Sequence, residues 1–268
     1  MKKILLLLFP CVLFGFVLEP WYSPLAEFQL RPDYSYRYYP SVNQGKENVS
    51  YHSHDHRTGL NLGVQFWPNW EVQLESDFLR SRKLNWGTER VGLQVRHLFL
   101  DDVAGDRISL SVGLQGFYVP TRALRDVSVP YHAQGNIELG TAIGKEIDKT
   151  YNWLFRFCGF LGLGAANRGM PWFCPLAAAE MKFHQRHVFK AFSESYVGFG
   201  HRHKVNINSF NGYAKIAHRS IDLGLNYTYL FRIWGALSFG GSYRLYARSF
   251  PKHASTFKIE YRLPFSLF

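Results

Sequence analysis

Cysteine is almost missing from this chain: Cys11, Cys158 and Cys174 are the three among 268 residues. Three thiols build neither a zinc framework nor a multi-bridge disulfide scaffold, and one bond between Cys158 and Cys174 is the most that an oxidising compartment would permit. Long apolar runs are just as scarce. One stretch, Ile4–Leu18, approaches the ~18 residues of a membrane-crossing helix, which excludes a polytopic helical membrane protein. Acidic residues fall short of basic ones, 20 against 31, leaving a formal charge of +11. Helical periodicity is absent throughout. Aromatic residues, by contrast, make up 17% of the chain, with 23 Phe and 16 Tyr. Such a composition excludes disorder.

Residues 1–19 have the layout of a secretory leader: Lys2 and Lys3, an apolar core broken by Pro10, then Glu19 and Pro20. Cleavage is expected between positions 15 and 20, although no Ala-x-Ala site follows the core. The rest, 20–268, reads as one domain of an exported protein.

Its dominant signal is alternation with a period of two, the mark of strands with one apolar face. Phe28, Leu30, Tyr34, Tyr36 and Tyr38 alternate with Glu27, Gln29, Arg31, Asp33, Ser35 and Arg37. The same rhythm recurs in 57–67, 71–78, 89–99, 107–118, 131–144, 151–164, 176–184, 187–200, 220–230, 233–247 and 256–268. Alternation alone also fits a soluble sandwich. Three features point instead to a barrel in a membrane. The segments outrun the ~5–6 residues of an ordinary strand and match the ~9–11 that cross a bilayer at a tilt. Full charges recur on the polar face of strand after strand. Tyr, Phe and Trp gather at the ends of the apolar face, as in an aromatic girdle.

The connections alternate short and long. Pro68–Trp70, Leu100–Asp106, Lys145–Thr150, Gln185–Arg186 and Phe231–Arg232 are short; Pro40–His56, Leu79–Thr88, Val119–Pro130, Ala165–Pro175, His201–Arg219 and Ser249–Ser255 are longer. Nearly all the excess positive charge sits on the long set. The expectation is therefore an all-β, closed, antiparallel up-and-down transmembrane barrel of about twelve strands, with short periplasmic turns and longer extracellular loops.

On the leader, this strand–turn–strand–loop rhythm and the terminal Phe268, the sequence resembles bacterial outer-membrane β-barrel proteins, porin-like ones included, from about Glu27 to the end. No subfamily is singled out. The resemblance implies residence in the outer membrane and insertion by the barrel-assembly machinery. It also implies contact with outer-membrane lipid and lipopolysaccharide. The apolar phase near the end falls on Phe265 and Leu267, one step away from Phe268.

Inside such a barrel the polar face supplies the candidate site: Glu71, Gln73, Glu75, Asp77, Arg90, Gln94, Arg96, Glu138, Arg156, Asp222 and Arg244. Pairing the third and fourth strands sets Glu71 opposite Arg96, Gln73 opposite Gln94 and Asp77 opposite Arg90, opposite charges that lower each other's cost in the lumen. They read either as an internal ion-pair ladder or as a charged pore lining. Arg80, Arg82, Lys83, Arg202, Lys204 and Arg219 form a basic outer rim suited to phosphate or sulfated groups. His52, His54 and His56 would share one face of an extended loop and are a weak metal candidate beside a plain solvated surface. His218 and Ser220 have the His-x-Ser spacing of outer-membrane acyl hydrolases, a three-residue match that chance supplies often. Glu194 with His201 would suit acid–base work only if the two were adjacent.

The functional expectation is a narrow channel for small hydrophilic solutes, anions among them, with no catalytic residues and no cofactor. The alternatives are a surface adhesin or membrane-organising protein binding host or surface polyanions, and an acyl hydrolase. Nucleic acid is not an expected partner.

Overall fold

The computed structural model describes residues 19–150, 153–231 and 233–266. The leader in residues 1–18, with Cys11, and the terminal Phe268 lie outside the described residues. The long strands are β1 (Phe28–Asn43), β2 (Asn48–Trp67), β3 (Trp70–Arg80), β4 (Gly87–Leu100), β5 (Ser109–Tyr118) and β6 (Gly135–Thr150). They continue as β7 (Trp153–Ala166), β8 (Trp172–Phe183), β9 (His187–Phe199), β10 (Ala217–Phe231) and β11 (Gly235–Arg248). After the two-residue rung β12 (Pro251–Lys252), β13 (Ser255–Phe265) ends the series. All neighbours run antiparallel, and β1 pairs with both β2 and β13, so the twelve long strands form a closed ring. Closure satisfies every ladder and leaves no open edge, the condition for a sheet surrounded by hydrocarbon.

Side-chain burial inverts the rule for soluble proteins. Leu139 is 50% exposed while its neighbour Glu138 is 1% exposed. Leu62, Leu74, Leu93, Leu114, Leu163, Leu223 and Leu225 likewise face outward, and Gln94, Gln115, Asp55 and Arg244 face in and are buried. Among the described residues no second sheet covers the outer face, which rules out the sandwich. Phe66, Trp67, Trp70, Phe99 and Trp234 stand exposed around the short-turn end, the position of an interfacial aromatic belt.

Two of the short connections are tight, whereas residues 101–108 separate β4 from β5. His184 and Gln185 both have positive φ in the three-residue β8–β9 turn, which the Arg186 amide closes on the Phe183 carbonyl. Gly235 has φ 93°, and a Cβ there would come within 1.9 Å of the Arg262 carbonyl oxygen, so the β10–β11 turn requires glycine.

The first long connection is shorter than its sequence reads. Alternation of hydrophobicity stops near Pro40 and resumes near Arg57, yet β1 and β2 stay paired through Asn43↔Asn48. Outside the apolar band the outward residues turn polar while the ladder continues. Two further expectations fail at the start of β6. Tyr131 and Ala133 were expected to face lipid, but the strand begins only at Gly135 and both are buried.

They are buried because the long loops fold together. Val119, Leu124, Val127 and Val129 of segment 119–134 meet Val205, Ile207, Phe210 and Tyr213 of segment 200–216. Phe250 and Ala254 join them, with Tyr39, Val42, Leu79 and Phe117 from the strand ends below. At ~1.5–3 kcal/mol for each large side chain removed from water, this cluster is a small hydrophobic core in its own right. It closes the long-loop end of the barrel.

Candidate functional site

The lumen has two unlike walls. Over β10, β11, β13 and β1–β4 the inward face carries charged pairs among uncharged polar residues such as Ser220, Ser238, Ser242, Gln73 and Gln94. The register places Glu71 opposite Arg96, Gln73 opposite Gln94 and Asp77 opposite Arg90, because a direct antiparallel partner shares its face. Arg96 meets Glu71 at 2.6 Å, and Arg90 meets Asp77 at 2.6 Å and Glu75 at 2.9 Å. Gln115 adds an amide hydrogen bond to Glu75 at 2.9 Å. Arg244 grips Asp222 through Nε and Nη2, each at 2.7 Å. The alternation also holds pairs that were not singled out beforehand: Arg37 with Asp55 at 2.6 Å, Arg57 with Glu89, and Lys258 with Glu260 at 2.9 Å. Arg37, Arg57, Lys258 and Glu260 stood in the polar phase of β1, β2 and β13, whereas Asp55 lay in an expected loop and Glu89 turns inward at a bulge that shifts the β3–β4 register.

Across β6–β9 the inward face is small or apolar over much of its length. Gly140, Ala142, Phe160, Gly162, Gly164, Cys174, Leu176, Ala178 and Phe192 are buried there. Trp172 lies flat over Gly164, where a Cβ would approach its ring to 1.9 Å, and its indole donates to Glu138 at 2.8 Å. Glu138 is thus held by an indole. Arg156 sits lower on this wall and bonds Glu146 at 2.6 Å, with Glu180 at 3.7 Å.

Aromatic rings fill the bore beneath the loop core. His218 is surrounded by His132, Tyr196, Tyr213 and Phe250, with ring centroids 4.6–5.4 Å away. Its Nδ1 bonds the Ile216 carbonyl at 2.9 Å, and His132 Nδ1 bonds that of Met170, also at 2.9 Å. His132 belongs to the loop, and burial pushes its pKa down to about 4. Ser220 follows His218 on the same inward face and is buried. The pair therefore lines the filled bore, away from the lipid-facing surface. Glu194 is buried in the wall whereas His201 is exposed on its loop, so the two are apart in exposure as in sequence.

The short-turn end is crossed by residues 19–22. The Glu19 carboxylate accepts from Lys190 Nζ of β9 at 2.5 Å, and its backbone carbonyl accepts from Arg96 Nη1 of β4 at 2.8 Å. The Lys190 ammonium holds the Glu19 carboxyl well below the usual carboxylate range. Trp21 donates to Asp102 at 3.1 Å and lies beneath the Arg156 guanidinium, 4.7 Å from ring centroid to Cζ; Tyr22 does the same for Arg96 at 4.3 Å. Burial would raise the Asp102 carboxyl, but the Glu146 amide, the Ser109 hydroxyl and the Trp21 indole bring it below its ordinary value. Nothing in the sequence marked this strap, since its residues precede the first alternating run.

Of the basic rim, Arg80, Arg82, Lys83, Arg202, Lys204 and Arg219 are all exposed at the long-loop end. Arg82 also donates to the His52 carbonyl at 3.0 Å and Lys83 to that of Ile207 at 3.0 Å, tying neighbouring connections together. His52, His54 and His56 lie on β2, not on a loop. His54 and His56 are hydrogen-bonded to Tyr36 and Tyr34 at 2.6 and 2.8 Å. Among the described residues no group of three His, Cys, Asp or Glu is placed to hold a metal ion. Cys158 and Cys174 are free thiols. Both point inward, but Cys158 pairs with Ala178 and Cys174 with Gly162, four positions apart along the β7–β8 ladder.

No family model and no curated relative matches the sequence. Solved structures do match the fold. An outer membrane channel from Pseudomonas putida F1 aligns with a TM-score of 0.67 at 11% identity, over 91% of this chain and 97% of that one. The NanC porin aligns at 0.55 with 12% identity, over 87% and 98%. The KdgM porin aligns at 0.50 with 8% identity, over 88% and 99%. The fold is that of porin-like outer-membrane barrels.

Proposed function

We propose that this chain is a narrow outer-membrane channel for small hydrophilic solutes, with a preference for anions, and that the conformation described above is its closed state. One observation carries the reading: full charges line the inside of a barrel whose outside is greasy, although two buried ions are costly and well-packed apolar residues would serve stability as well. The likeness in fold to channel and porin structures supports it. Twelve strands stand between filled eight-stranded barrels and open sixteen-stranded porins, so displacing the loop core and the strap would leave a narrow bore. The exposed basic rim would concentrate anions at its mouth.

Conductance across a planar lipid bilayer tests the proposal. Full-length folded protein is expected to give brief openings. A variant with 203–212 replaced by a short Gly-Ser turn is expected to give steady current whose reversal potential in a salt gradient reports anion preference. No ion-selective current from either protein would overturn the channel, and cation preference would overturn the solute class.

The rim also favours a second reading, in which the long-loop end binds polyanions. Arg202, Lys204 and Arg219 are exposed and unburdened by the loop core. Salt-sensitive binding to a heparin-like polymer, lost on neutralising these three, is the expected result. Binding that survives their neutralisation would refute it.

A further inference from the structure

Glu19 links nearly opposite walls of the barrel. Its carboxylate is on β9 and its carbonyl on β4, and in the closed ring five steps separate these strands. The contact with Lys190 is a short, charge-assisted hydrogen bond, the stronger kind. Arg31 of β1 and Arg262 of β13 lie within Coulomb reach of the same carboxylate. Lys258 sits close by, between Glu260 at 2.9 Å and Asp33 at 3.6 Å. A cavity of about 60 Å³ adjoins, lined in part by Lys190, Asn226, Ser238, Lys258 and Glu260.

Charge balance distinguishes Glu19 from its neighbours. Lys190, Lys258, Arg31, Arg262 and Arg156 face five carboxylates here, namely Glu180, Glu260, Asp33, Glu146 and Glu19. The first four belong to the wall and cannot leave. Glu19 belongs to the strap, which the mature chain keeps when the leader is cut between positions 15 and 18, and its departure leaves one uncompensated positive charge around Lys190. Its side chain is also half exposed, at 49%, against 14% for Lys190, so water and solutes reach the contact from the strap side. Apart from the Glu19 carboxylate, the strap is held by the Arg96 bond to the Glu19 carbonyl, one indole hydrogen bond and two ring stacks, without an apolar core such as the loops share.

We propose that Lys190, with Arg31 and Arg262, forms a carboxylate-binding site in the lumen, and that Glu19 is its built-in occupant. A small solute bearing a carboxylate competes for Lys190, displaces Glu19 and loosens the strap that covers the short-turn end. A tethered carboxylate on a short segment competes at an effective concentration on the order of millimolar, so millimolar solute suffices to exchange with it. The proposal rests on the channel reading for its place on a solute path; the binding site stands without it.

Glutarate, a flexible dicarboxylate, is the probe, and its neutral diamide is the control. Titration calorimetry on the full-length folded protein in detergent compares the wild type with Glu19→Gln, Lys190→Gln and the double variant. Glu19→Gln is expected to bind glutarate at least ~10-fold more tightly than the wild type, about 1.4 kcal/mol. The double variant is expected to lose binding, Lys190→Arg in the Glu19→Gln background to restore it, and the diamide to show none. Cys158, inward on β7, supplies a check independent of affinity. Its labelling by a small charged thiol reagent should speed up severalfold in Glu19→Gln, and glutarate should slow it again. Equal glutarate affinity in wild type and Glu19→Gln, or binding retained by the double variant, would overturn the proposal. Expected binding without bilayer current would remove the channel and leave the site.

Discussion

The two walls of the lumen solve one packing problem by different means. From β10 through the β1–β13 seam to β4, inward serines and amides are interspersed with long, ionised residues joined in direct cross-strand pairs such as Arg37 with Asp55 and Arg244 with Asp222. From β6 to β9, glycines and alanines make room for Phe160, Trp172 and Phe192. The first wall is directional: each pair tolerates one register, and a one-step slip would turn every charge to lipid. The second is steric, since its fit depends on what is missing at Gly162 and Gly164. Charge therefore sets alignment on one side and volume sets it on the other. The charged side, together with Lys190 and Arg156 at the short-turn end of the other, offers what an ion could exchange with.

Arg244→Ala is the strongest way to break this contrast. It strands Asp222 in a buried site and removes the guanidinium stacked 4.5 Å from the Phe250 ring. A loss of about 3–5 kcal/mol is expected, read from denaturant unfolding of the folded barrel. Replacing the pair together, Asp222→Leu with Arg244→Met, should recover most of it. If the double variant is as unstable as the single one, the wall is not held in the way described.

Acidity comes next and acts through the loop core. His132 is neutral in the closed structure, with its pKa pushed down from about 6.5 to about 4 by burial, against Trp172, Tyr196 and His218. Between those values the opened state binds more protons than the closed one. The contribution is complete above the upper value and is lost as pH falls towards the lower, on the order of 3 kcal/mol in all. Asp126 in the same loop works the other way: burial raises its carboxyl, so its own share grows as pH falls. Hydrogen exchange of loop amides at neutral pH and near pH 5 should show the closed end loosening in acid, less so in His132→Gln. An unchanged pH response in that variant would remove His132 from the account.

The smallest effect belongs to the neutral wall. Gly164→Ala forces the Trp172 ring aside and strains its bond to Glu138. A loss of about 1–3 kcal/mol is expected, with a shift of tryptophan emission as the ring moves. Unaltered emission would mean that the wall yields without disturbing Trp172.

Much of this architecture is legible in the residues. Strand identity, the lipid face of most strands and the β3–β4 register follow from a period of two, because lipid outside and ion pairs inside impose opposite demands on alternate positions. The runs that became β8, β9 and β11 gave no apolar face beforehand. The extent of β1 and β2 was hidden, since His52, His54 and His56 lie where the ladder outlasts the apolar band. The loop core was hidden for another reason. Val119, Val127, Val129, Val205, Ile207 and Phe210 carry no period, and their one clue was apolar content in connections that water alone would not favour. The strap around Glu19 left no local pattern, because its partners lie 77 and 171 positions away.

Closure at the loop end has a kinetic corollary. Asn43 at the tip of the first hairpin accepts the Ser249 amide at 2.8 Å, Ser249 donates to the His203 carbonyl at 2.7 Å, and Tyr213 donates to that of Val127 at 2.7 Å. Connections drawn from around the whole circumference are stitched through one nucleus. None can lift while the others stay down, so the cap moves as one body, and its transitions should be abrupt steps between two levels with no graded drift.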